Sequence, residues 1–226
     1  MKYSGLWLIV VITFALCSLG CTTTERSRAL DTPQTQAAFR PYHGPRTPII
    51  VGNFDNRSPF MRGLFTDGVD RLGSQAKTIL MSHLTQTNRF LVLDRDNMDQ
   101  LSREAELRGE TQDLMGASFV ITGDVSEFGR REVTTRAFFG ILGRGRQQMA
   151  YSRVNLNIVD IRTSAVIFSA QGAGEYALSD MEIFGFGTVA GFDSTLNGKV
   201  LDLAIREAVD RLAEAIDSGR WNPAGI

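Results

Sequence analysis

The chain predicts an α/β (α+β) fold, a single domain on a mixed sheet carrying two β-hairpin insertions, and three features lead there. Apolar spacing alternates between a strand period of two and a helical period near 3.6, in the order β-α-β-α, then further strands and a closing helix. Ser152 to Ile161 alternates cleanly enough that one of its faces is wet, which belongs to a mixed or antiparallel sheet. Glu127 to Tyr151 and Gly172 to Asp193 fit no small core and interrupt an otherwise compact plan. At 226 residues, 43% hydrophobic and 22% charged, the chain suffices for one substantial core.

Each element has its own warrant. Pro48 to Asp55 is a β-branched run closed by Asn56, Arg57 and Ser58, hence a strand and a loop. From Asp67 the period changes, and Val69, Leu72, Ala76, Ile79, Leu80 and Leu84 lie on one face of a first long helix. Arg89 to Asp94 is a second strand. Asn97 to Leu107, with Met98, Leu101 and Ala105 on one side, is a second helix stopped by Gly109. Ser118 to Val125 is a third strand. In the next, Val154, Leu156 and Ile158 share the dry face and Arg153, Asn155 and Asn157 the wet one. Thr163 makes a turn, and Ala165 to Ala170 returns. Thr195 to Ser218 closes the domain as a helix with Leu201, Ile205, Ala208, Leu212 and Ala215 inward, capped by Ser194 or Thr195 and stopped by Gly219.

The N-terminus reads as a targeting segment over residues 1–20: Lys2 supplies charge, and Leu6 to Leu16 is an apolar run short for a bilayer span. Ser18-Leu19-Gly20-Cys21 resembles the lipobox of bacterial lipoproteins, although the leucine stands two residues before the cysteine where three is usual. That resemblance implies a Gram-negative envelope protein acylated on Cys21. A covalent lipid there is the one non-protein group expected, with no cofactor. Cleavage discards Cys17 and leaves no thiol for a disulfide, a metal or a nucleophile. Thr22 is not the Asp that retains lipoproteins at the inner membrane, which favours the periplasmic face of the outer membrane. Residues 21–47, with Pro33, Pro41 and Pro45, read as an extended tether to a domain over 48–226.

The insertions carry the functional expectation. Tyr176, Leu178, Phe184, Phe186 and Phe192 share one parity, whereas Ala177, Ser179, Gly185, Gly187 and Gly191 share the other. Bulk opposite small residues suits a membrane hairpin over 172–193, with those five side chains toward lipid. In 127–151 the apolar residues Val133, Ala137, Phe138, Phe139, Ile141 and Leu142 alternate poorly. Gly140, Gly143 and Gly145 with Arg144 and Arg146 suggest a basic hairpin tip. An aromatic loop packed on its own domain is the competing reading.

The element order, the lipidated cysteine and the two insertions together resemble the CsgG family, outer-membrane channels that export curli subunits, and its relatives in holdfast anchoring. Asn88-Arg-Phe-Leu-Val-Leu-Asp-Arg95, the Asn97 to Gly109 helix and Val154 to Ile161 carry the resemblance most closely. It implies a homo-oligomeric ring whose subunits each give two hairpins to a shared transmembrane β-barrel above a periplasmic α/β domain. It implies a pore-narrowing loop at Pro59 to Phe65, with Phe60, Leu64 and Phe65 at the constriction; Leu64 replaces a polar residue of the family pattern. The partners implied are secreted fibre or adhesin subunits passing unfolded, a periplasmic accessory factor and outer-membrane lipid. Two alternatives stand beside the secretion channel: a binding module like the LpoB-type activators of peptidoglycan synthesis, and a non-conducting adhesin or holdfast anchor.

Other chemistry is not expected. With 24 basic and 25 acidic residues the net charge is -1, so no field holds nucleic acid. His43 lies in the tether and His83 reads as a half-buried residue of the first long helix, so neither forms a triad or a metal cluster. Gly140-Ile-Leu-Gly-Arg-Gly145 lacks the Lys-Ser/Thr of a phosphate loop. Asp94, Asp96 and the acidic run Asp67 to Asp70 have no companion motif and read as solvated surface. No enzyme is expected.

Overall fold

The computed structural model describes residues 32–60, 70–136, 144–182 and 196–223, and residues from Gln34 onward form one compact unit. A 3-10 turn (Gln36–Phe39) precedes β1 (Thr47–Asn56), α1 (Arg71–Gln86), β2 (Phe90–Val92), α2 (Met98–Leu107), β3 (Phe119–Arg136), β4 (Arg144–Asp160), β5 (Val166–Glu182) and α3 (Leu196–Asp217). The sheet order is β2-β1-β3-β4-β5. β1 runs parallel to β2 and β3, because helices make the crossovers between them, while β3, β4 and β5 pair antiparallel. The mixed sheet is as expected.

One face of the sheet holds the core. Ile49, Val51 and Phe54 of β1, Ile121 and Val125 of β3, and Val154, Leu156 and Ile158 of β4 are buried there. Against them lie Leu72, Ala76, Leu80 and Leu84 of α1 and Leu201, Ile205, Ala208, Leu212 and Ala215 of α3, the faces that helical spacing predicts. Ile79 is only partly buried. Gly172 and Gly174 bring β5 close beneath α3: a Cβ at Gly172 would run into the Ala204 carbonyl oxygen and the Ala208 nitrogen. At Gly174 it would stand 2.9 Å from the Val200 oxygen and 3.0 Å from the Ala204 nitrogen. Gly219, at φ 71°, ends α3 by returning its N–H to Ile216 O at 3.0 Å. The chain then folds Trp221 into the core against Phe90, Phe119 and Phe168.

The start of α1 is tied to the end of β1. The Asp70 carboxylate accepts the Gly73 N–H at 2.8 Å, as an N-cap, and the Asn56 N–H at 2.6 Å. Replacing Asp70 with Ala is expected to cost about 1–2 kcal/mol, the range of a lost cap; a chemical-denaturation midpoint equal to the parent's would contradict this.

Three expectations change on inspection of the structure. The domain does not wait for Pro48: Thr35 and Ala37 are fully buried, and the 3-10 turn docks on α3, so the tether expected over 21–47 becomes domain by Gln34. His83 is not half-buried but 3% exposed, because its Nε2 meets the Asp202 carboxylate of α3 at 2.7 Å and its Nδ1 lies 3.1 Å from Gln86 Oε1. The apolar side expected of α2 has no fully buried residue: Met98 and Ala105 are half-buried and Leu101 is exposed. Helical spacing reports an amphipathic helix whether or not anything covers its apolar stripe.

Candidate functional site

The two insertions come together as one structure. β3 and β4 stay paired from Phe119 opposite Asp160 to Arg136 opposite Arg144, and β4 stays paired with β5 from Arg144 opposite Glu182 down to the β4–β5 turn. What reads as two hairpins over 127–151 and 172–193 is, in its described residues, a three-stranded arm continuing the core sheet. Residues 137–143 and 183–195 lie outside the described residues, and both follow from the same end of the arm, where Arg136, Arg144 and Glu182 stand in one row.

The base of the arm is set by a bulge. Val125 pairs with Val154 and Phe128 with Ser152, so β3 advances three residues while β4 advances two. The extra residue keeps both Val125 and Phe128 on the buried face. On the opposite face Gly129 leaves room for the Tyr151 ring to lie across it, the Arg131 guanidinium sits 5.1 Å from that ring centre, and Arg153 pairs with Glu127 at 2.8 Å. On the core face the first turns of α3 meet the arm: Arg130 Nε donates to Asn197 Oδ1 at 2.7 Å, and Lys199 Nζ lies 5.3 Å from the centre of the Tyr176 ring.

Beyond the base, the register sorts the arm into two unlike faces. Going outward on the core-side face, the rows are Arg130-Ala150-Tyr176, Glu132-Gln148-Leu178, Thr134-Arg146-Asp180 and Arg136-Arg144-Glu182. The other face reads Arg131-Met149-Ala177, Val133-Gln147-Ser179 and Thr135-Gly145-Met181, and past Arg131 it carries no charge. In register, Asp180 of β5 stands opposite Arg146 of β4, and Glu182 opposite Arg144. By register, alternate positions of the arm therefore form two sets, one rich in charged residue types and one that past Arg131 has none.

By register Tyr176 and Leu178, the two described members of the expected lipid-facing set, alternate in step with Arg146, Asp180 and Glu182. Phe184, Phe186 and Phe192 lie outside the described residues, as do Leu64, Phe65 and Cys21. Phe60 is described and packs inward: its ring lies 4.6 Å from that of Phe128, and its carbonyl accepts from Asn56 Nδ2 at 2.9 Å. Asn56 also holds the Ser58 N–H and hydroxyl on its Oδ1. The loop that follows β1 is thus pinned at its start by Asn56 and at its end by Asp70.

The remaining polar candidates have structural employment. Asp94 accepts from the side chain and backbone N–H of Asn97 and from the Asp96 N–H, and the Asn97 amide above all holds its carboxyl below the usual range. Asp96 pairs with Lys77 at 2.6 Å. Asp160 is held low first by the Thr163 hydroxyl, then by the Thr163 N–H, and these bonds form the β4–β5 turn. A carboxylate whose folded pKa is depressed adds stability above its unfolded value, near 3.9, and loses it as pH falls through the lower folded value. Asp160→Asn should accordingly flatten the acid limb of the unfolding curve, and an unchanged limb would contradict this. Among the described residues no three His, Cys, Asp or Glu stand together as a metal site, and no helix is long and apolar enough to cross a membrane.

Sequence reasoning missed the groups that lock the domain ends together. Arg89, 1% exposed, donates Nε to Asp217 Oδ1 and Nη2 to Asp217 Oδ2, both at 2.7 Å. Its Nη1 donates to Thr87 O at 2.7 Å and Ala37 O at 3.1 Å, and its guanidinium lies 5.0 Å from the Tyr42 ring centre. The signal was an arginine immediately before an apolar strand run.

The model of the family described as curli production assembly/transport component CsgG matches residues 34–224. The chain belongs to the CsgG family. It is 58% identical over 214 residues to "Putative lipoprotein NMB1126/NMB1164" of Neisseria meningitidis serogroup B, across 95% of this chain and 96% of that relative. Among solved structures it is similar to a PelC dodecamer from Paraburkholderia phytofirmans, with 14% identity, 74% of this chain and 86% of that one covered, and a TM-score of 0.35. It is also similar to lipoprotein GNA1162 from Neisseria meningitidis, with 14% identity, 76% of this chain and 99% of that one covered, and a TM-score of 0.35. Both likenesses are distant and bring no activity to this CsgG-family chain.

Proposed function

We propose that this CsgG-family protein is a lipid-anchored envelope lipoprotein whose copies assemble, arm beside arm, into an oligomeric conduit that passes an unfolded extracellular polypeptide across the outer membrane. The observation that carries this reading is the two-faced arm. A strand wall between lipid and an aqueous lumen needs one face of each kind, and a charged face on an isolated surface arm would need no uncharged partner face. In the assembly the uncharged face, with Val133, Met149 and Met181, meets lipid, while Arg146, Asp180 and Glu182 line the water-filled side. The Cys21 lipid holds each copy at the membrane. Movement through the conduit is passive, since no step of it requires chemistry on this chain.

The constriction falls to the loop between Asn56 and Asp70. Phe60 anchors that loop on Phe128, and Leu64 and Phe65 provide the apolar grip on a passing chain. The substrate class is an unfolded fibre or adhesin subunit. Protein extracted from outer membranes in mild detergent is expected to appear as rings by electron microscopy and to conduct ions in planar bilayers. Uniform monomers without conductance would overturn the conduit and favour a non-crossing binding module of the LpoB type.

A further inference from the structure

We propose that residues 35–42 form a latched strap that carries the pull of the N-terminal tether into α3 instead of into β1. The proposal rests on the tether reading above, in which the chain ahead of the strap leads to a lipid on Cys21. Three contacts make the latch. The Asp210 carboxylate, on α3, accepts the Gln36 N–H at 3.0 Å and the Ala37 N–H at 2.9 Å. Arg89 holds the Ala37 carbonyl at 3.1 Å and lies over the Tyr42 ring, while it is itself clamped to Asp217 near the end of α3. Arg40 stands 3.5 Å from that same Asp217 carboxylate.

The strap is held by these polar contacts more than by packing. Ala37 is its one buried apolar side chain, while Phe39 is 71% exposed beside an open groove of about 770 Å3 lined by Leu203, Arg206, Asp210 and Glu214. Without the latch, tension on the tether would act at Thr47, where β1 begins, and β1 is hydrogen-bonded to both β2 and β3. Thr47 itself donates to Arg89 O at 2.9 Å, so the first bonds to break would be those of the parallel ladder. With the latch closed, the load enters at Gln36 and Ala37 and passes to a 22-residue helix packed along its length. An acceptor carboxylate aimed at two consecutive amides of a 3-10 turn is a directional, charge-assisted grip. It resists a pull on the chain before Gln36 and gives way when Asp210 is removed.

The test uses the full-length chain in detergent and follows chymotryptic cleavage after Phe39 together with amide exchange at Gln36 and Ala37. Asp210→Ala should raise both rates by at least tenfold, because two charge-assisted bonds are lost at once, to Gln36 and to Ala37, and Asp210→Asn should fall between. The thermal midpoint of the core should stay near the parent value, because Asp210 is not one of the buried residues of the hydrophobic core. Cleavage and exchange unchanged in Asp210→Ala would overturn the latch, as would acceleration spread evenly over the whole domain. The intact mass of the same sample reports the lipid separately: an unacylated mass sinks the anchor reading while leaving the latch result to stand on its own.

Discussion

Replacing Arg89 with Ala is expected to remove about 3 kcal/mol of stability, the lower end of the range for breaking a buried ion pair, because Asp217 keeps some solvent contact. The loss has several sources. Asp217 loses both of its short bonds, the Thr87 and Ala37 carbonyls lose a donor, and the Tyr42 ring loses its cation. For a domain of this size each kcal/mol moves the thermal midpoint by roughly 2–4 °C, so a drop of about 6–12 °C is expected. Arg89→Lys keeps the charge and loses the bidentate geometry, and it should recover less than half of the difference. A Lys variant as stable as the parent would show that charge alone, not the fork, holds the domain ends together.

The second large effect comes from a methyl group. Gly172→Ala places a Cβ against the backbone of α3 at Ala204 and Ala208, atoms that move only if the helix moves. Overpacking of this kind costs about 1–3 kcal/mol, and the backbone contact puts it at the upper end or beyond. Gly174→Ala meets the same helix at 2.9–3.0 Å and is expected to cost about 1 kcal/mol. The contrast is the check: denaturation midpoints should rank parent, Gly174→Ala and Gly172→Ala in descending order. Equal midpoints for the two variants would mean that α3 does not press on β5 at Gly172 as described.

The helices were the most legible part of the sequence, because spacing alone places Leu201, Ile205, Ala208, Leu212 and Ala215 on one face and that face is fully buried. The dry face of β4 was legible for the same reason at period two. The arm was legible only in part: both segments stand out as insertions with hairpin character, but their joining into one three-stranded ladder is fixed by pairing between β3, β4 and β5. The faces were harder still, since alternation within β5 alone shows that Tyr176 and Leu178 share a side but not that Arg146 shares it with them. That comes only from register. Arg89 and Asp217 are 128 residues apart, and no local pattern connects them. The strap was hidden by its composition: Pro41, Pro45 and a short polar run read as linker, and the contacts that seat it reside on α3.

The family likeness and the arm carry different weights. Membership of the CsgG family follows from the match over 34–224, whereas the proposed conduit rests on the register of the arm alone. With the proposed cleavage and acylation at Cys21, no free thiol remains in the mature chain, so single cysteines placed on the arm report without background. Asp180 and Met181 are adjacent in β5 and stand on opposite faces. In intact outer membranes, Asp180→Cys should react with a water-soluble maleimide that enters the lumen. Met181→Cys should resist that reagent and take up a lipid-soluble one. Equal reaction of both positions from water would mean that the arm is solvated on both faces and forms no wall in the membrane.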